Sequence, residues 1–158
     1  MFLVDKDMPI KEIKKEIDEI LKPIKSFCDF WGVQFQYDND VIKTNHIAEK
    51  ISDDINLVKQ REIKSMQESL DILGELDYKL NLFTTSAEHL KPIEQFLVYH
   101  ILIADKTQVE LTEDEEMWNR FQVYNISPAK INHIFQAACL KLLELIKYYQ
   151  IKNMPVKF

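Results

Sequence analysis

The stretch Thr44–Phe83, TNHIAEKISDDINLVKQREIKSMQESLDILGELDYKLNLF, contains no proline and a single glycine, Gly74. Ile47, Ile51, Ile55 and Val58, then Ile63, Met66, Leu70, Leu73, Leu76, Leu80 and Phe83, share one broad face at about 100° per residue. Thr44 or Asn45 supplies an N-cap. Lys59 and Glu62 interrupt the stripe with charge, but Val58–Ile63 has no Gly, Pro, Asn or Ser to break a helix. The pattern predicts one amphipathic helix over about 45–83, roughly 60 Å long. The alternative is a hairpin turning near Lys59–Glu62.

The flanking sequence predicts further helices. Asp7 or Met8 opens the first, with Pro9 in its first turn, where a missing N–H costs nothing. Ile10, Ile13, Ile17, Ile20, Leu21, Ile24 and Phe27 follow at helical spacing. Pro23 predicts a kink or break, and Gly32 an end. Ile93–Ala104, IEQFLVYHILIA, is apolar almost all round and follows Pro92. A buried central helix over about 92–105 is the expectation. Thr112-Glu113-Asp114-Glu115 has capping-box form and predicts a short helix to about Tyr124. Ser127-Pro128 opens the last helix, to about Lys152, with Ile131, Ile134, Phe135, Ala138, Leu142, Leu145, Ile146 and Tyr149 inward. Between Gly32 and Thr44, alternation in Val33–Tyr37, Asp38-Asn39-Asp40 and Val41-Ile42 predict a β-hairpin or extended arm near 33–42. Phe2-Leu3-Val4 is a candidate third strand. The expected fold is therefore all-α: about five helices in one domain over 1–158, with a small β element.

Composition narrows the function. The chain has 158 residues, net charge −6, two glycines and two cysteines. So few glycines weigh against Gly-rich phosphate loops. The acidic total weighs against nucleic-acid binding, which needs phosphate neutralisation. Charge is also segregated. Residues 84–125 hold eight acids and three bases, whereas 126–158 hold five lysines against Glu144 alone. The basic last helix can meet an acidic partner or the acidic middle of this chain. Cys28 and Cys139 sit among apolar neighbours and read as reduced, buried thiols. The start lacks a signal-peptide apolar region, and no apolar run is long enough to span a bilayer. A cytoplasmic location without membrane contact is the expectation.

Several constellations bear on chemistry. Glu49 and Asp53 lie one turn apart, and Glu68 and Asp71 have ExxD spacing. This resembles the all-α nucleotide pyrophosphohydrolases of the MazG type, which hold magnesium with ExxE on one helix and ExxD on the next. The resemblance implies Mg2+ held by Glu49, Asp53, Glu68 and Asp71. The first motif departs from the pattern, because Ser52 stands where the second acid belongs. On a continuous helix Asp53 and Glu68 would lie roughly 22 Å apart, too far to share an ion. All four acids also point away from the stripe, as solvated residues do. Glu62 points inward instead, and a buried carboxylate needs a partner. Lys59 is a local partner, and His100 in the apolar central helix is a distant one, so Glu62 and His100 form a candidate binding pair. His46, His89, His100 and His133 show no metal-ligand spacing. Glu116–Phe135 resembles a helix-turn-helix in outline, but four acids at Glu113–Glu116 would repel phosphate. The tail Ile151–Phe158 keeps apolar residues suited to docking on the domain or a partner.

The function expected from these observations is a non-enzymatic protein-binding module: an inhibitor, immunity-type protein, adaptor or assembly subunit. It would act through an acidic helical surface, by hetero-association or self-association, without metal or cofactor. The alternatives are the magnesium-dependent hydrolase and then the nucleic-acid binder.

Overall fold

The computed structural model describes residues 4–61, 66–122 and 126–152. It is all-α with one small hairpin: α1 Ile10–Trp31, β1 Gln36–Asp38, β2 Val41–Lys43, α2 Asn45–Arg61, α3 Met66–Ala87 and α4 Pro92–Leu97. A π-helical segment, Val98–Ile103, continues α4. Then come α5 Gln108–Thr112, α6 Glu115–Phe121 and α7 Pro128–Lys152.

The single helix expected over 45–83 is instead two, α2 and α3, packed against each other. Thr44 at the head of α2 and Thr84 near the end of α3 share a hydroxyl–hydroxyl hydrogen bond of 3.0 Å, so the pair runs antiparallel. A rod of roughly 60 Å would carry half its apolar stripe beyond the core. Doubling back buries Ile47 and Ile51 together with Leu76, Leu80 and Phe83. Glu62 lies outside the described residues, and so does its expected pairing with His100.

Local signals set most other boundaries. Pro9 is the N-cap residue of α1, and its carbonyl accepts from the Glu12 and Ile13 amides. The helix passes through Pro23 without ending and stops at Gly32, whose φ of +69° and N–H hydrogen bond to the Cys28 carbonyl close it. The hairpin pairs Gln36 with Lys43 and Asp38 with Val41, in antiparallel register. Asn39 and Asp40, both at positive φ, make its two-residue turn. It is the one sheet among the described residues, and Phe2 and Leu3 lie outside them.

Two further expectations are corrected. The capping box forms at Thr107 and Glu110, opening α5, while Thr112 lies inside that helix. Asp114 caps α6 by accepting from the Met117 amide at 3.1 Å. The 92–105 segment is neither α-helical throughout nor buried all round. It widens after Leu97, and Tyr99, His100, Ile101 and Ile103 remain half-buried. Its inward residues, Phe96, Leu97, Val98 and Leu102, are buried. Gln95 joins this segment to the hairpin, accepting from the Ile42 amide at 3.1 Å and donating to the Leu90 carbonyl at 3.3 Å.

The core fills the space between α1, α3 and α7. Ile13, Ile17, Ile20 and Ile24 enter it from α1, and Ile131, Phe135, Ala138, Leu142 and Ile146 from α7. Lys147 reaches Glu16 of α1 at 2.9 Å, and Lys141 reaches Glu94 of α4 at 3.3 Å. Ser127 caps α7 through the Lys130 amide at 3.1 Å. Cys28 and Cys139 are buried and free.

Candidate binding groove

A side chain's place on a helix decides whether a neighbour can cover it. On α1, Ile13, Ile17, Ile20 and Ile24 take the face toward the core, while Pro23, Phe27 and Trp31, spaced by four, take another. That second row looks into the valley beside α3. Pro23 and Phe27 form one wall there, with Ile72, Leu76 and Lys79 opposite, around a groove of about 430 Å3. The valley continues where α2 joins, as a hollow of about 410 Å3 between Phe27, Trp31, Leu57, Val58, Ile72 and Leu73. Phe27 and Ile72 line both, so the two hollows adjoin along one valley and are together called the channel.

Its walls remain open to solvent. Ile72 is 69% exposed, Trp31 48% and Leu57 44%, and neighbouring Phe30 reaches 77% while packing edge-on against Trp31. Exposed apolar side chains scattered singly are ordinary, whereas a contiguous set marks an interaction surface. Leu57 and Ile72 sit just off the apolar stripe, between a polar or acidic residue and the stripe itself. That off-stripe position is the signal that exposes them. It says nothing of their meeting, which requires α2 to fold back on α3.

Charge lines the channel unevenly. Asp71 and Glu75 line the first hollow from α3 beside Lys79, and Glu68 continues their three- and four-residue spacing along that helix. Asp71 also accepts from the Gln67 amide group at 2.8 Å, and Lys79 lies 3.8 Å from Glu75. At the opposite end Lys50 is already engaged. Its ammonium bonds the mostly buried Asp54 at 2.7 Å and sits 4.0 Å from the Trp31 ring centroid. Asp54 is the carboxylate that α2 turns inward, while Glu49 and Asp53 are exposed.

The reversal between α2 and α3 removes the distance argument against a shared magnesium ion, but the donors do not converge. Glu49, Asp53, Glu68 and Asp71 are all exposed. Among the described residues no three His, Cys, Asp or Glu side chains are placed to hold a metal ion. Magnesium requires carboxylates meeting at about 2.1 Å, so these residues do not fit it.

His100 occupies a different place, in a cluster of rings beside the hairpin. Its ring lies 4.2 Å from Phe96, 5.1 Å from Tyr99 and 5.9 Å from Tyr37, centroid to centroid. Its Nδ1 is buried without a hydrogen-bond partner. Burial foremost, and then the charge of Lys106, lower its pKa from 6.5 to about 4, although Asp114 pulls the other way. The imidazole is consequently neutral at physiological pH and acts as an aromatic packing element. A further crevice of about 580 Å3 separates α1 from the π-helical segment. Lys14, Lys22 and Lys25 face Asp18, Asp29 and Asp105 there, and Lys25 donates to the Leu102 carbonyl at 3.1 Å, so its charges balance internally.

The helix-turn-helix outline becomes a corner of the bundle. α6 has seven residues and α7 twenty-five, and α7 packs against α1, α3, α4 and α5. No helix among the described residues is long and apolar enough to cross a membrane. Comparison of the chain with family models, with curated proteins and with solved structures finds no match.

Proposed function

We propose that this protein is a non-enzymatic binding module that receives a protein partner in the channel between α1, α2 and α3. The observation that carries the reading is the contiguous apolar lining in which Trp31, Leu57 and Ile72 are exposed around a half-buried Phe27. An interface of this kind takes its energy from a few central apolar and aromatic anchors surrounded by a polar rim. Trp31 and Phe27 are such anchors, and Asp71 and Glu75, with Glu68 in line along α3, supply such a rim. The cytoplasm is part of the same proposal, supported by two free, buried thiols.

Site-specific photocrosslinking in the source cell tests the reading. A benzophenone side chain at position 72 or 57 should yield a discrete adduct of higher mass, and one at the exposed position 133 on α7 should not. A hetero-adduct and a homodimer both support a protein-binding channel. Absence of any adduct from both channel positions overturns it.

A further inference from the structure

We infer that the occupant of the channel is a short amphipathic helix of a different protein, with an apolar face and a lysine- or arginine-bearing flank. This rests on the proposed binding role and adds the chemistry of the partner.

The channel is a valley between helices, so it offers no free strand edge for an extended peptide to pair with. Such valleys accept the side-chain ridge of another helix. Pro23 to Trp31 covers nine residues of α1, or roughly 12 Å from end to end, which matches about two turns of an incoming helix. Residues at i, i+3 or i+4, and i+7 of that helix would meet the Phe27–Ile72 floor and the Trp31–Leu57 end.

Charge selects the flank. Asp71 and Glu75 lie on the α3 lip beside Lys79, which is 3.8 Å from Glu75, and α3 as a whole carries Glu68 and Asp77 besides these, against Lys79 alone. Lys50, at the other end, is neutralised by Asp54. A basic flank is therefore complementary to the lip, and an acidic one is repelled. The last helix, α7, is the basic element of this chain, but it does not suit a second copy as donor. Lys141 and Lys147, in its middle, already hold Glu94 and Glu16, and its apolar face is buried in the core.

Isothermal calorimetry with two designed 14-residue helices separates the possibilities. Both peptides carry leucine at i, i+3, i+7 and i+10. One has lysine at the flanking positions and the other glutamate. The leucine–lysine peptide should bind with an affinity that falls as salt rises from 50 to 300 mM, and the leucine–glutamate peptide should bind at least about fivefold more weakly, as three surface charge contacts allow. Glu68→Lys, Asp71→Lys and Glu75→Lys together should reverse the preference, and Ile72→Glu should abolish both interactions. All four substitutions are at exposed positions, and a circular-dichroism melt checks that folding is kept. Equal or tighter binding of the leucine–glutamate peptide overturns the basic flank, as does binding of the leucine–lysine peptide that survives Ile72→Glu. Binding of neither peptide overturns the helical occupant, while an adduct from position 72 in cells would still leave the channel a protein-binding site.

Discussion

The two sides of α1 use similar residues to opposite ends. Toward α7, Ile13, Ile17, Ile20 and Ile24 meet Ile131, Phe135, Ala138 and Leu142, and every one of these is buried. The Lys147–Glu16 pair lies between the same two helices, half-buried on both members. Toward α2 and α3, Phe27, Trp31, Leu57 and Ile72 are equally apolar but incompletely covered. The first seam has already released its apolar surface from water, so its energy stabilises the fold. The second retains exposed apolar surface that an added chain can bury. One helix thus carries both the stability of the molecule and its proposed recognition surface.

The largest expected effect lies in the closed seam. Leu142→Ala removes a fully buried side chain and should cost about 2–5 kcal/mol, read from urea unfolding. Ile72→Ala, in the open channel, should change stability by no more than about 0.5 kcal/mol. A comparable loss at the two positions would erase the distinction between the seams.

Next in size is the response to acid near the hairpin. His100 has its pKa lowered from 6.5 to about 4 by burial, so the unfolded chain binds its proton more readily. Its contribution is fully present above pH 6.5, falls as the pH drops toward 4, and amounts to on the order of 2 kcal/mol. His100→Gln should flatten this part of the stability curve relative to the native chain. Equal pH slopes for the two proteins would show that His100 is not held neutral by the fold.

A smaller effect is expected from the ion pair of the closed seam. Lys147→Met should cost about 0.5–1 kcal/mol, because both members of the pair with Glu16 are partly solvated. Double-mutant cycles with Glu16→Gln read that term. Burial also pushes the Cys28 thiol up to about 11 and the Cys139 thiol up to about 12. Neither should react with a disulfide reagent at pH 8 until the protein unfolds. Rapid reaction of the Cys28 thiol would mean that the α1 end opens on its own.

Contacts within a few residues were readable directly from residue types. Gly32 ends α1, Asn39-Asp40 turns the hairpin, and Ser127 before Pro128 starts α7, because each acts on backbone groups within one turn of itself. The same local rules misplace the start of α6. Thr112 and Asp114 are both competent caps, and the choice fell to Asp114 once Thr107 had opened α5. The π-helical widening after Leu97 has no comparable marker in the sequence. Of the candidate site, the Glu68–Asp71 spacing was visible, but the place of Asp71 beside Ile72 on a channel lip was not.

Thr44–Phe83 shows where the division falls. Its periodicity marked by itself the helical repeat of the described residues and placed Ile47, Ile51, Leu76, Leu80 and Phe83 inward, because a side chain's direction follows from the backbone repeat. It missed Asp54 and Leu82. Periodicity carries no record of what lies opposite the apolar face, and an in-phase stripe suits a rod and a hairpin alike. Tertiary structure decided for the hairpin by burying the two outer ends of the stripe in one core. It thereby brought Leu57 and Ile72 together beside Trp31. The channel exists only through that pairing, since its walls come from three helices whose contacts no local rule specifies.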